Sequence, residues 1–289
     1  MSIPDPAAKP NNTYILDSES PQEMARQSQM DRLVTRAMGG PLAGLPELAP
    51  GAKVLDIACG TGGWVLDVAF ELLDVEAAGI DISNLMIDYA SARARSEGHH
   101  NVSFGLMDVR QPLDFSDQTF DLVNGRWLTS FLHRQDWLPL LRECVRITRP
   151  GGIIRITESD TWGLTSSEGY EKILGLVYRA MKQGGYGFSP DGHSLGITPK
   201  LPVLLRQAGC QQIQSQAHAI DFSAGTPSWA DFYHNVLVAI QEGTPIPIAL
   251  GITTKEEIDA WRVQMEIEMN QDDFGGFCYL TTVWGTTPG

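Results

Sequence analysis

Between Lys53 and Glu158 the chain alternates short apolar runs with longer amphipathic segments. The runs KVLDIA (53–58) and EAAGID (76–81) have the length and composition of buried strands. Each is followed by a segment with helical periodicity, such as WVLDVAFELL (64–73). Strands with few polar residues, separated by helices, indicate a parallel sheet covered on both faces. The pattern predicts a doubly wound α/β domain whose ligands bind beyond the carboxyl ends of the strands.

The same patterns predict further elements on both sides of this region. Ser20, Pro21 and the pair Gly39-Gly40 delimit an N-terminal helix, with Ser20 as its N-cap. Three more strands are expected at VSFGLMD (102–108), TFDLVNG (119–125) and GGIIRITE (151–158), and two later ones at 211–223 and 275–285. We expect residues 1–40 to form a tail and a lid helix. Residues 41–289 would form the domain, with helical cap insertions at 160–198 and 226–270.

Composition narrows the classes of partner. The net charge is −14 and the pI about 4.8, so that the surface repels phosphate backbones and anionic lipid. We therefore expect no nucleic-acid or membrane partner. The N-terminus lacks the apolar core of a signal peptide, and the four cysteines are far apart with no C-x-x-C pair. These features favour a cytoplasmic protein.

The turn after the first strand, DIACGTGGW (56–64), allows two interpretations. A dinucleotide site has the pattern G-x-G-x-x-G, and Gly60 and Gly62 fit its first two places. Val65 occupies the third place, and Asp56 would lie awkwardly beside a pyrophosphate. No Lys or Arg lies between Lys53 and Arg93 to offset that carboxylate. The turn therefore favours a different ligand.

The ends of the next three strands carry Asp81, Asp108 and Asn124, so that each position is acidic or neutral. This row suits a cationic ligand with an amine, a ribose and an adenine, because carboxylates accept hydrogen bonds from hydroxyl and amino groups. Each acid could instead cap a helix or lie in a solvated turn. Taken together in this order, the three positions favour the cationic ligand.

These motifs closely resemble the class I S-adenosylmethionine-dependent methyltransferases. The resemblance rests on VLDIACGTGG (54–63), GIDIS (79–83), LMDV (106–109) and the stretch from FDLVNGRW (120–127) to RPGGIIRITE (149–158). The small-molecule branch, which includes ubiquinone- and menaquinone-biosynthesis enzymes, is the most similar. The resemblance implies a Rossmann-like seven-stranded sheet in the order 3-2-1-4-5-7-6, with the last strand antiparallel. It also implies S-adenosylmethionine as cofactor and S-adenosylhomocysteine as product.

The family's binding roles transfer onto matching positions. Asp56 is expected near the methionine amine, Asp81 at the ribose and Asp108 at the adenine. The other implied contacts are Ala58, Gly60, Thr61, Gly62, Ile82, Met86, Val109, Asn124 and Gly125. Tyr14 and Arg26 could reach the methionine carboxylate, although both are more often ordinary packing or surface residues.

Methyl transfer from a sulfonium needs no acid to expel the leaving group, so that few catalytic residues are expected. His133, after the fourth strand, is the best candidate base, with a helix-orienting or solvent-facing role as the alternative. Glu158, after the fifth strand, is a further catalytic candidate. Metal-dependent catechol-type relatives use acids after both strands; NGRW (124–127) supplies none, and we expect no metal.

The sequence thus predicts transfer of a methyl group to an oxygen, nitrogen or carbon of a small organic acceptor. Trp229, Phe232 and Tyr233 share one helix face and form either core or an apolar lid over an aromatic or hydrophobic acceptor. Two alternatives remain: a catalytically silent cofactor-binding or partner subunit, and an NAD-dependent oxidoreductase. The acceptor and the oligomeric state are left open.

Overall fold

A single sheet of eight strands organises the described part of the chain, residues 20–289 of a computed structural model. Tyr14 lies outside these residues. The strands are β1 (Lys53–Ile57), β2 (Glu76–Asp81), β3 (Val102–Leu106), β4 (Phe120–Arg126), β5 (Thr148–Glu158), β6 (Leu164–Thr165), β7 (Gln211–Asp221) and β8 (Gly276–Thr286).

Helices connect these strands and extend beyond them. They are α1 (Pro21–Met38), α2 (Gly63–Glu71), α3 (Asn84–Glu97), α4 (Trp137–Ile147), α5 (Glu168–Gln183), α6 (Leu201–Ala208), α7 (Trp229–Gly243), α8 (Pro245–Ala249) and α9 (Lys255–Met269), with a 3-10 turn at Leu128–Ser130. The N-terminal helix begins as predicted, because the Ser20 side chain accepts a hydrogen bond from the Glu23 amide at 3.0 Å. It ends at Gly39, which has a φ of 87°.

The strand order is β3-β2-β1-β4-β5-β8, and β7 pairs with the free side of β8. Strands β1 to β5 are parallel, whereas β8 runs antiparallel to both β5 and β7. With β7 and β8 as the sixth and seventh strands, this is the predicted order, and the α/β prediction is confirmed. The two-residue strand β6 pairs with the start of β8 and was not predicted.

Alternate residues of the central strands enter two apolar layers, as a doubly wound sheet requires. Val54 and Leu122 pack with α2 on one face. Leu55, Val123 and Ile154 pack with α4 on the other face. The sheet is therefore covered on both sides, and its strand ends are held rigidly at one edge. No helix within residues 20–289 is both long and apolar enough to cross a membrane.

Candidate ligand site at the carboxyl ends of the strands

A cavity lies beyond the carboxyl ends of β1 to β4, and helices α1, α5 and α7 contribute to its wall. Ten of the predicted site residues line it: Arg26, Asp56, Ala58, Gly60, Thr61, Asp81, Ile82, Met86, Asp108 and Val109. Five others do not: Gly62, Asn124, Gly125, His133 and Glu158. The strand-end position of the site is the one that the alternating pattern predicted.

The turn from β1 into α2 passes through left-handed backbone at Ala58, Gly60 and Gly62, with φ values of 55°, 52° and 77°. Gly60 lines the cavity, and its amide donates to Asp81 Oδ2 at 2.9 Å. A Cβ on Gly62 would lie 2.8 Å from side-chain carbons of Ala90 and Phe104. Gly62 therefore permits helix–strand packing behind the cavity rather than close approach of a ligand.

Asp81 fixes two segments of the site at once. Its Oδ2 accepts from the Gly60 amide and its Oδ1 from the Ser83 amide, each at 2.9 Å. Burial raises the pKa of Asp81, while the backbone donors lower it. Ser83, rather than Asp81, caps α3 through the Met86 amide. The carboxylate thus stays at the cavity wall with lone pairs left for a ligand.

Asp56 lies at the end of β1, in the cavity wall, and is only 3% exposed. Its Oδ1 accepts a hydrogen bond from Asn124 Nδ2 at 2.7 Å. Burial raises its pKa to about 7, because a dry environment disfavours the charged carboxylate. Asn124 is fully buried and stands behind Asp56 rather than in the cavity wall.

Asp108, after β3, is engaged by a neighbouring cation that also lines the cavity. Arg110 donates to it from Nε at 2.9 Å, from Nη2 at 2.8 Å and from its amide at 3.0 Å. These donors hold the pKa of Asp108 below its usual value, against the opposing effect of partial burial. Asp108 is therefore an ionised acceptor at the third strand end.

Helix α1 covers the glycine turn through polar contacts. Ser28 Oγ donates to Thr61 Oγ1 at 3.0 Å, and Asp31 forms an ion pair with Arg126 at the end of β4. Arg126 also donates to Thr35 Oγ1 at 3.1 Å. The N-terminal helix is thereby joined to both β1 and β4 across the cavity edge.

Three arginines line the cavity, and each is paired with a carboxylate. Arg26 forms a bidentate pair with the buried Glu23, at 2.6 and 2.7 Å, and donates to Asn235 Oδ1 at 3.1 Å. Arg110 is paired with Asp108, and Arg126 with Asp31. The charge of each arginine at the cavity wall is thus offset by a carboxylate.

The far side of the cavity is apolar. Its residues lie on α1, α5 and α7 and in the segments after β4 and β5, and include Met30, Trp127, Phe131, Trp162, Tyr170, Leu174, Val177, Phe232, Val236 and Ile240. Tyr170, Leu174 and Val177 follow an i, i+4, i+7 spacing along one face of α5. In the predicted aromatic stripe, Phe232 lines the cavity, whereas Trp229 and Tyr233 stack on each other at 5.4 Å outside it.

The two candidate catalytic residues lie away from the cavity. His133 stacks on Tyr186 with ring centroids 4.4 Å apart, and its Nδ1 is 3.6 Å from an Asp136 oxygen. This position agrees with the structural alternative rather than with a base facing a ligand. Glu158 is fully buried and accepts from the Thr129 amide at 3.2 Å and from its hydroxyl at 2.9 Å. It supports the turn after β4, and burial raises its pKa to about 8.

Several lining residues were missed from the sequence, among them Gln27, Asp31, Arg110 and Asn235. The sequence did contain a pattern that marks this face of α1, because Gln27, Asp31 and Thr35 are spaced by four residues and therefore share one helix face. No such signal marked Asn235, whose side chain meets α1 from 209 residues away in the chain. Within residues 20–289, no cluster of His, Cys, Asp and Glu side chains is arranged to hold a metal ion.

The sheet order and the acid-lined strand ends define a Rossmann-like domain of the methyltransferase type. Residues 54–152 match the model of a family described as a methyltransferase domain. The chain is 32% identical over 117 residues to a demethylmenaquinone methyltransferase of Bacillus pumilus, which is 40% of this chain and 48% of the relative. It is 38% identical over 112 residues to phosphoethanolamine N-methyltransferase 3 of Arabidopsis thaliana, which is 39% of this chain and 22% of that relative.

The chain thus spans less than half of the length of these two curated relatives. Among solved structures, phosphoethanolamine N-methyltransferase 2 of Haemonchus contortus in complex with S-adenosyl-L-methionine has a similar fold. The TM-score is 0.51 at 18% identity, with 92% of this chain and 52% of that chain covered. Residues 54–152 are therefore similar in sequence to a methyltransferase domain, and the described residues have the Rossmann-like fold of S-adenosylmethionine-dependent methyltransferases.

Proposed function

We propose that the protein transfers the methyl group of S-adenosylmethionine to an oxygen, nitrogen or carbon atom of a small, largely apolar acceptor. The observation that supports this most is the division of one cavity into two ends. Its strand end carries Asp56, Asp81 and Asp108, and its helical end is lined by aromatic and aliphatic side chains. A charged donor and an apolar acceptor could meet in such a cavity.

The residues at the strand end fit the cofactor by their hydrogen-bonding capacity. Asp56 uses one oxygen for Asn124 and has the other for the ammonium group. Asp81 would accept from the ribose hydroxyls, and Asp108 from the adenine amine. Ile82, Met86 and Val109 would pack on the adenosine, and Ala58, Gly60 and Thr61 would lie along the aliphatic chain.

We place Arg26 near the methionine carboxylate, since this residue lines the cavity and its guanidinium is held in place by Glu23 and Asn235. Tyr14 is proposed as a second contact from the sequence alone. Gly62, Asn124 and Gly125 would then act from behind the wall, through packing or through Asp56. Helix α1 would serve as the lid, because it joins the glycine turn to the end of β4.

S-adenosylmethionine, when bound, supplies an electrophilic methyl group on a positively charged sulfur. The protein's task is to hold an acceptor atom in line with that methyl group and to exclude water. The apolar end has no His, Asp, Glu or Lys among its described lining residues. We therefore propose an acceptor whose nucleophile needs no protein base, such as an ionised hydroxyl, a neutral amine or an enolate carbon, and a reaction that needs no metal.

The charge of the cavity bears on the kind of acceptor. One curated relative is named for demethylmenaquinone and another for phosphoethanolamine. A phosphate-bearing acceptor would need cations; Arg110 and Arg126 are each paired with a carboxylate, and Arg26 is already assigned to the methionine carboxylate. The apolar wall favours an aromatic or otherwise hydrophobic acceptor instead.

The test is incubation of the protein with methyl-labelled S-adenosylmethionine and a metabolite library, read by mass spectrometry. We expect label to appear in one apolar compound, with formation of S-adenosylhomocysteine. Label in a phosphorylated amine would overturn the acceptor class. Binding of cofactor without any labelled product would favour the silent subunit.

A further inference from the structure

Three polar residues on adjacent strands form a row behind the cavity. Asp56 on β1 pairs in register with Asn124 on β4, and Asn124 pairs in register with Arg155 on β5. In-register neighbours of a parallel sheet project to the same face. The row therefore leads from the cavity wall at Asp56 into the interior at Arg155.

Arg155 is fully buried, although it carries a guanidinium. Its Nη1 donates to the Pro41 carbonyl oxygen, which also accepts from Trp64 Nε1 at 2.8 Å. Its Nε and Nη2 have no hydrogen-bond partner among the described residues. A buried donor without a partner is costly, so that these N–H groups call for an acceptor.

Asn124 has the complementary need. Its Nδ2 donates to Asp56 at 2.7 Å, and its buried Oδ1 has no partner in the part of the chain that the structure describes. The orientation of the amide is fixed by chemistry, because an ionised carboxylate only accepts and an arginine only donates. Asn124 must therefore present its nitrogen to Asp56 and its oxygen toward Arg155.

We propose that one buried water joins the Arg155 guanidinium to Asn124 Oδ1, and that Arg155 is a positioning residue for the cofactor acid Asp56. The water accepts from Arg155 and donates to Asn124, which then holds its amide toward Asp56. A buried water that satisfies such groups is a regular part of protein interiors. The chain of donors favours the ionised form of Asp56, which is the form that pairs with the ammonium group, and this last step depends on the proposed function.

The other charged groups around Asp56 do not replace Arg155. Arg126 lowers the pKa of Asp56 more than Arg155 does, but Arg126 lies at the cavity wall and is paired with Asp31, whose charge raises the pKa of Asp56. Cys59 also interacts with Asp56, and burial holds the pKa of its thiol well above its ordinary value. Arg155 accordingly has a distinct place, as the buried cation on the sheet side of Asp56.

The guanidinium can perform this role at neutral pH. Burial lowers the pKa of Arg155 to about 9, which leaves it charged. His218 also faces Arg155, and burial and that positive charge both lower the pKa of its imidazole. His218 is therefore neutral at neutral pH and does not compete for the role of cation.

The experiment follows the carboxyl carbon of Asp56 by NMR titration in the protein without cofactor, with Asp56→Asn used to assign the signal. In Arg155→Met we expect the apparent pKa of Asp56 to rise by about one unit. In Arg155→Lys, which keeps the positive charge, the pKa of Asp56 should return most of the way to its wild-type value. The matched control is Arg149→Met, on the same strand, where Arg149 is partly exposed and paired with Asp121. It should leave Asp56 unchanged.

A second readout is the pH profile of S-adenosylhomocysteine binding. Arg155→Met should weaken binding about fivefold at pH 7, with recovery at higher pH, because a rise of the Asp56 pKa from about 7 to about 8 lowers its ionised fraction at pH 7 from about one half to about one tenth. A crystal structure should show the water within hydrogen-bond distance of Asn124 Oδ1 and Arg155. If Arg155→Met does not fold, Arg155→Lys and this crystal structure decide the matter.

An unchanged Asp56 titration in the Arg155 variants, or a crystal structure without the water, would overturn the proposal. Its failure is distinguishable from failure of the proposed function. If the pKa of Asp56 shifts as expected and the wild-type protein binds no S-adenosylhomocysteine at any pH, the proposed function fails and the role of Arg155 stands. If the wild-type protein binds S-adenosylhomocysteine and the pKa of Asp56 is unchanged in the Arg155 variants, the role of Arg155 fails and the proposed function stands.

Discussion

The two ends of the cavity are built in different ways. The strand end takes its acids from β1, β2 and β3, where each carboxylate is fixed by neighbours within the same motif or on the adjacent strand. The helical end takes its apolar side chains from α1, α5 and α7, which meet only in the folded protein. The strand end is therefore suited to one constant ligand, whereas the helical end can vary with the acceptor.

The largest expected effect is at the strand end. Asp81→Ala should weaken S-adenosylhomocysteine binding by about 100-fold, because it removes charged hydrogen bonds to a ligand hydroxyl pair and releases the Gly60 amide. Calorimetry provides the measurement, and Asp88→Asn on the exposed face of α3 is the control. Equal affinity in Asp81→Ala and wild type would remove this residue from the cofactor end.

A bulky side chain at the helical end should impair use of the acceptor and leave the affinity for S-adenosylhomocysteine unchanged. Val177→Phe extends into the cavity from α5, and we expect kcat/KM for the acceptor to fall by about 30-fold through steric exclusion. Affinity for S-adenosylhomocysteine should stay within twofold of wild type. Arg179→Trp, on the exposed side of the same helix, is the matched control. Loss of cofactor affinity in Val177→Phe would mean that the two ends are not separate.

The pH dependence of binding tests Asp56. With a pKa of about 7, its ionised fraction rises about tenfold between pH 6 and pH 8, and the ionised form is the one that pairs with an ammonium group. Affinity for S-adenosylhomocysteine should rise by a similar factor over this interval. Asp56→Asn should bind more weakly and without this rise. Binding that weakens toward pH 8 in the wild type would contradict the assignment.

Glu158 should affect stability rather than chemistry. The pKa of Glu158 is about 8 in the folded protein and near 4.5 in the unfolded chain. Its contribution to the free energy of unfolding is therefore fully present below pH 4.5 and is lost as the pH rises through 8. Glu158→Gln should reduce the fall in unfolding free energy between pH 5 and pH 8 by about 3 kcal/mol. Denaturant titrations at the two pH values measure it, beside exposed Glu168→Gln. An equal fall in unfolding free energy in the wild type and in Glu158→Gln would contradict a protonated Glu158.

The smallest effect is expected for His133. It stacks on Tyr186 outside the cavity wall, and His133→Ala should keep turnover within about twofold while costing about 1 kcal/mol of stability. Steady-state kinetics and thermal unfolding separate these two quantities. A loss of turnover of 100-fold with normal stability would restore the histidine as a base.

The positions of the acids and glycines at the strand end of the cavity could be predicted from the sequence, because each follows directly from a local motif. Asp56, Gly60 and Asp81 follow their strands directly, and the parallel sheet brings such positions to one edge. The sequence could not assign roles within the predicted aromatic stripe. Phe232 faces the cavity, and Trp229 and Tyr233 do not, because their directions depend on how α7 packs against distant elements.

The same limit explains the other differences. His133 meets Tyr186 across 53 residues of chain, a contact that no local pattern encodes. Helix α8 begins at Pro245 and contains Pro247, and proline lowers any helical expectation for so short a segment. The lone Arg155 within an apolar strand was visible in the sequence, and only the register of the sheet places it beside Asn124.

The central claim is that the strand end accommodates the adenosine and the ammonium group of S-adenosylmethionine and its product. Calorimetric titration of the wild-type protein with S-adenosylhomocysteine, beside NAD under the same conditions, tests it most directly. We predict saturable binding of S-adenosylhomocysteine with one site per chain and no heat of binding for NAD. Saturable binding of NAD, with none for S-adenosylhomocysteine, would contradict the account.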